Sequence, residues 1–206
     1  MQFKTKELIH ELKHHLPFTA FASLVGVIII LIINYFIKTN ISESLFEILH
    51  PLHVLISAFA TSAMFYKYQK TKISAILVGI LGAIIIGSLS DVVLPYLGGL
   101  IFQLQPTFHL PIIQEPITIL VSALIGGIIG ISIKQTRAPH SLHVFLSVFA
   151  SLTYLLAFSQ STNLFFFILA LIIVIIAVII PCCVSDIIFP FFFLREKIKS
   201  CDCEHC

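Results

Sequence analysis

The chemistry open to this chain is concentrated in a small polar pattern that occurs twice. The first copy is His50-Pro51-Leu52-His53-Val54, followed after an apolar run by Ser90-Asp91-Val92-Val93-Leu94-Pro95. The second is His140-Ser141-Leu142-His143-Val144, followed by Ser185-Asp186-Ile187-Ile188-Phe189-Pro190. Two histidines three residues apart share one side of a helix. Two imidazoles and a carboxylate form a ligand set for zinc, iron, manganese, cobalt or nickel and do not select among them. The same groups also carry protons near neutral pH.

Asp91 is the only charged residue between Lys72 and Glu115, and Asp186 the only one between Arg137 and Arg195. A carboxylate at the centre of a membrane span costs roughly 2.5–3.5 kcal/mol on insertion scales, so one in such a stretch points to function. The simpler reading is that Ser-Asp caps a short helix. Recurrence of the pattern, together with the match of Ser57, Phe59 and Ala60 to Ser147, Phe149 and Ala150, identifies an internal duplication.

Further candidate ligands lie outside the repeat. His14 and His15 precede the first apolar run, and Cys182 and Cys183 precede Asp186. His109 lies within the irregular segment Val92–Ile113 that follows the first Ser-Asp, and Glu115 just after it. The C-terminus reads Cys201-Asp202-Cys203-Glu204-His205-Cys206, in which Cys201, Cys203, His205 and Cys206 are four soft ligands within six residues. Thiolate and imidazole at that density favour zinc or copper(I). The plain alternatives are apolar packing for Cys182 and Cys183 and an incidental polar end for the tail.

Apolar residues make up 58% of the 206-residue chain and charged residues 11%, against about 25% charged in soluble domains. Mean hydropathy is +1.07. This is the composition of an integral membrane protein. A net charge of +2 is too small to suggest a nucleic-acid binder, and none is expected as a partner. No phosphate-cradling glycine loop, G-x-S-x-G elbow or H-E-x-x-H occurs.

The elements that must position these residues are expected to be six spans: Phe18–Ile37, His50–Tyr66, Ile73–Leu89, Ile117–Ile133, Leu142–Phe158 and Leu164–Ile180. The first is long enough to cross a bilayer and too long for a signal peptide's apolar region. Lys and Arg concentrate in the N-terminus, the Lys67–Lys72 loop, the Lys134–Arg137 loop and the C-terminus, while the intervening loops carry only Lys38. The positive-inside rule then places both termini in the cytoplasm, with the plasma (inner) membrane as the expected location.

The expected fold is therefore all-α, with six transmembrane helices arranged as two inverted-topology three-helix repeats, because an odd number of spans inserts the second copy upside down. The expected divisions are a cytoplasmic amphipathic segment (1–16), a first repeat (17–100), a short interfacial or re-entrant connector (101–115), a second repeat (116–194) and a Cys/His-rich cytoplasmic tail (195–206). On this plan His50, His53 and Asp91 face outside, and His140, His143 and Asp186 face the cytoplasm with His14 and His15.

The function that follows is a transporter for a divalent or soft transition-metal ion, with proton coupling as an option, zinc foremost and copper or iron as alternatives. An intramembrane metalloenzyme using the inner His/Asp/Cys set is the competing expectation, and a scaffold whose tail alone binds metal is the third. Expected partners are the lipid bilayer, the metal ion and, as an assembly option, a second copy in a homodimer.

Overall fold

The structure is a computed structural model, and it describes residues 17, 20–22, 24–29, 32, 43–133, 137–159 and 164–183. Among these, every regular element is helical. Residues 20–22 and 24–29 are helical. After them come α1 (Glu43–Tyr68), α2 (Lys72–Ser88), a π-helical turn (Leu89–Val93), α3 (Leu94–Ile101), a single turn α4 (Pro111–Gln114), α5 (Pro116–Ile133), α6 (Arg137–Phe158) and α7 (Leu164–Cys183).

Three helical runs are long and apolar enough to cross a membrane: Glu43–Tyr68, Lys72–Ile101 and Pro116–Ile133. At 1.5 Å per residue they measure about 39, 45 and 27 Å, against a hydrocarbon core of roughly 30 Å. Leu142–Phe158 and Phe165–Ile179 are shorter apolar helices.

The distribution of side chains is that of a lipid-facing bundle. Along α5, Ile117, Leu120, Val121, Leu124, Ile125 and Ile128 are exposed, while Ile119, Ala123, Gly126, Gly127 and Gly130 are buried. Large apolar groups thus point outward and small ones inward at helical spacing. The buried polar set is His50, His53, Ser57, Thr61, Ser62, Ser90, Asp91, His143, Ser147, Ser151 and Thr153. In water that polarity would be reversed; against lipid, polar groups belong between helices.

Helix α1 is central and packs on α2, α5 and α6. Small residues bring the backbones together. A Cβ built on Gly126 would meet the Leu55 carbonyl oxygen, and one on Gly130 the Phe59 carbonyl oxygen. Gly126 and Gly130 are one turn apart, a G-x-x-x-G stripe that lets α5 lie directly on the α1 backbone. Gly79 does the same for α2, opposite Ser62 and the Ala58 carbonyl. One apolar core joins Val54, Ala58, Ala83, Ile119 and Ala123. A second joins Ala22 and Val27 to Val144, Val148 and Leu152 of α6 and to Phe166, Ala170, Ile173 and Val174 of α7.

Two expected boundaries change. The helix carrying the first histidine pair starts at Glu43 rather than His50, so the pair lies two turns inside it. Glu43 in the first turn suits the positive helix end. The third span does not stop at Ser90-Asp91; it continues through the π turn to Ile101. The connector after it is irregular except for the single turn Pro111–Gln114. Helix α3 ends with Gln103 at φ 58°, Gln103 N–H donating to Leu100 O and Leu104 N–H to Gly99 O, which satisfies the last carbonyls. The chain then crosses the end of α6, where Thr107 N–H donates to Phe158 O at 2.8 Å.

Candidate metal centre

The π turn is what places Asp91 in the interior. In this turn the Leu94 N–H reaches back to Leu89 O, an i→i−5 bond. The next bond in that pattern would run from residue 95 to Ser90 O, but Pro95 has no N–H. The Ser151 hydroxyl of α6 stands 3.0 Å from the carbonyl thus freed and 2.7 Å from the Ser147 carbonyl of its own helix, and its one proton is shared between them. Pro95, which follows Ser-Asp by five and four residues, thus ends the π pattern, and π bulges recur at functional sites. The Ser-Asp pair is not a helix cap, as the simpler sequence reading had it. It sits in the middle of a continuous helical run.

Asp91 is fully buried and receives four hydrogen bonds. Its Oδ2 accepts from His50 Nδ1 at 2.8 Å and from His53 Nδ1 at 2.6 Å. Its Oδ1 accepts from the Ser90 hydroxyl at 2.8 Å and from the Ser147 hydroxyl at 3.0 Å. A carboxylate has about four acceptor positions, so all are used. Each bond to a charged group is worth roughly 1.5–3 kcal/mol net, which offsets the cost of taking the carboxylate out of water.

Both histidine rings are held on their faces as well. His50 stacks on Phe46, centroids 5.5 Å apart and planes 23° apart. His53 stacks on His143, centroids 4.6 Å apart and planes 17° apart. The Nε2 atoms of His50 and His53 are buried, and neither has a hydrogen-bond partner among the described residues.

One side of the site is closed by aromatic rings. Phe46 is fully buried and meets His109, Tyr154 and Phe158 edge-on at 6.0, 5.3 and 5.7 Å. The Tyr154 hydroxyl donates to Thr107 O at 3.0 Å and so pins the connector over this layer. Beyond it, Glu43, Glu47 and His109 form a second group with ligand atoms close together, with Glu43 exposed and the other two partly exposed. The buried group His50, His53 and Asp91 has one ligand atom from each residue within 4.8 Å of the others, close enough to hold a metal ion.

The expected site residues distribute as follows. His50, His53 and Asp91 come together, and His143 joins them through its stack on His53. Two separated clusters on opposite membrane faces were expected; His143 instead lies beside His53, because α6 packs directly along α1. His140 lies in α6, and Cys182 and Cys183 end α7, with their side chains outside the described residues. His14, His15, Asp186, Cys201, Cys203, His205 and Cys206 also lie outside the described residues. Glu115 is exposed and apart from the cluster, and His109 is 3.5 Å from Glu43 rather than from Asp91.

Ser147 and Ser151 were not anticipated as site residues. Their spacing from His143, four and eight residues, places all three on one helix face, and that was the available signal. Phe46 and Tyr154 carried no such signal.

No protein-family model, curated protein or solved structure matches this chain.

Proposed function

We propose that this chain is an integral membrane transporter for a divalent or soft transition-metal ion, zinc foremost, with copper or iron as alternatives. The observation that carries the reading is the buried cluster itself: one carboxylate held by two histidines from α1, contacted by Ser147 and flanked by His143 from the second copy of the motif. A cation taken from water needs replacement ligands at membrane depth. Residues contributed by both copies give a single site that either half can open by moving against the other. This replaces the expectation of one site on each face. Six spans, inverted repeats and cytoplasmic termini complete the proposal, with the tail Cys201–Cys206 delivering or sensing metal.

The test is zinc flux into proteoliposomes. His50→Ala, His53→Ala, His143→Ala and Asp91→Asn insert normally and lower flux at least tenfold at limiting zinc. Undiminished flux in all four refutes the transporter. Labelling intact cells settles orientation: a cysteine placed in 159–163 reacts from outside and one at Lys70 does not.

The convergence on one cluster also suits the intramembrane metalloenzyme, which needs a single centre to activate water. The two readings part when metal is bound but not moved across the bilayer.

A further inference from the structure

The hydrogen bonds around Asp91 determine which atoms remain to hold an ion. Its four acceptor positions are filled, two by serine hydroxyls and two by histidine Nδ1 atoms. An ionised carboxylate accepts only, so each Nδ1 must carry the proton. A neutral imidazole protonated at Nδ1 has its lone pair on Nε2. Those two Nε2 atoms, in His50 and His53, are the buried ones without a hydrogen-bond partner among the described residues. Nor are the rings free to turn. Each is fixed at Nδ1 by Asp91 and on a face by an aromatic ring, Phe46 for His50 and His143 for His53.

We propose that His50 and His53 bind a borderline transition-metal ion through Nε2 and not through Nδ1, with Asp91 behind them as the positioning residue and not as a ligand. This rests on the metal-binding reading of the site. The opposite arrangement, an ion seated among the two Nδ1 atoms and Oδ2, breaks two charge-assisted bonds. It also drives both ring protons to Nε2, where no acceptor lies among the described residues. Histidine ligands that donate their other nitrogen to a carboxylate are the usual metal-site arrangement, since the carboxylate fixes the tautomer and makes the ring a better donor.

The assignment sets the class of cation. Two neutral imidazole nitrogens suit zinc, copper, nickel and iron(II), whereas magnesium and calcium require oxygen ligands. One buried carboxylate behind the rings supplies part of the balancing charge without entering the coordination shell. Ser90 and Ser147 matter to the ion at one further remove, because they hold the other oxygen of Asp91.

The experiment uses the full-length chain, 15N-labelled at histidine and embedded in lipid. Long-range proton–nitrogen spectra of the metal-free protein report the tautomer of each ring, assigned by loss of signals in His50→Gln and His53→Gln. The expected result is Nδ1–H in both, with the Nε2 resonances moving on addition of zinc while the Nδ1 protons remain. Zinc titration of Asp91→Asn should retain the ion at saturation with 10–100-fold weaker binding, the loss typical of a removed outer-shell partner. Magnesium and calcium should leave the Nε2 resonances in place. An Nε2–H tautomer in either ring, or zinc binding that removes the Nδ1 protons, overturns this assignment while leaving a metal site in place. Nδ1–H in both rings with no response to zinc, nickel or cobalt overturns the metal reading as a whole.

Discussion

Removing the Ser147 hydroxyl isolates one strand of the network without adding bulk or charge. Ser147→Ala deletes the 3.0 Å bond to Asp91 Oδ1 and leaves that oxygen with Ser90 alone. Both groups are fully buried, so no bulk water replaces the lost donor. A hydrogen bond to a charged group is worth about 1.5–3 kcal/mol. For chains of 150–250 residues, 1 kcal/mol corresponds to roughly 2–4 °C, so the melting temperature should fall by roughly 3–12 °C. The assay is thermal unfolding of the purified protein in detergent.

The control is Ser132→Ala, whose hydroxyl also donates, at 2.8 Å, but to the Ile128 carbonyl on an exposed surface. It should stay within about 0.5 kcal/mol of wild type. In an Asp91→Asn background the cost of Ser147→Ala should shrink, because the amide offers Ser147 a weaker, uncharged partner; double-mutant coupling of about 0.5–3 kcal/mol measures this. If Ser147→Ala melts with the Ser132→Ala control, Asp91 is not the charged acceptor around which the site is built.

The π turn makes a separate prediction. Ser151→Ala leaves the Ser90 carbonyl without its hydroxyl donor and should cost about 1–3 kcal/mol in the same melt, but less in a Pro95→Ala chain, where an N–H is restored; equal costs in both backgrounds refute the role given to Pro95. Gly126→Ala forces a methyl group against the Leu55 carbonyl and should destabilise more than Gly127→Ala, whose nearest contact is an Ile76 side-chain carbon at 3.3 Å; the order of melting temperatures checks it. Phe46→Ala empties the centre of the aromatic layer and should cost about 3–5 kcal/mol, with Phe46→Leu much milder; matched melts of the two variants would refute the packing role.

Composition and periodicity were enough to read an all-helical chain with long apolar helices, because outward-facing residues in lipid leave a run of Ile, Leu and Phe that no soluble helix needs. The pairing of His50 with His53 was legible from helical spacing, and Asp91 from its isolation among apolar residues. The role of the Ser-Asp-x-x-x-Pro pattern was not. Its proline creates an orphan carbonyl rather than a helix start, and that distinction depends on Ser151 lying opposite.

Local sequence therefore determined which groups were costly to bury and on which helix faces they stood, since both follow from residue type and a period of 3.6. Only the tertiary structure decided that they meet. The glycine stripe draws α5 onto α1 and leaves the histidine face of α1 for α6 and the π turn. His143 and Ser147 thereby reach the Asp91 cluster from the other copy of the motif. The saturation of that carboxylate, and with it the freedom of the two Nε2 atoms, is a count of donors arriving from three separate elements. Spacing along one chain cannot supply that count.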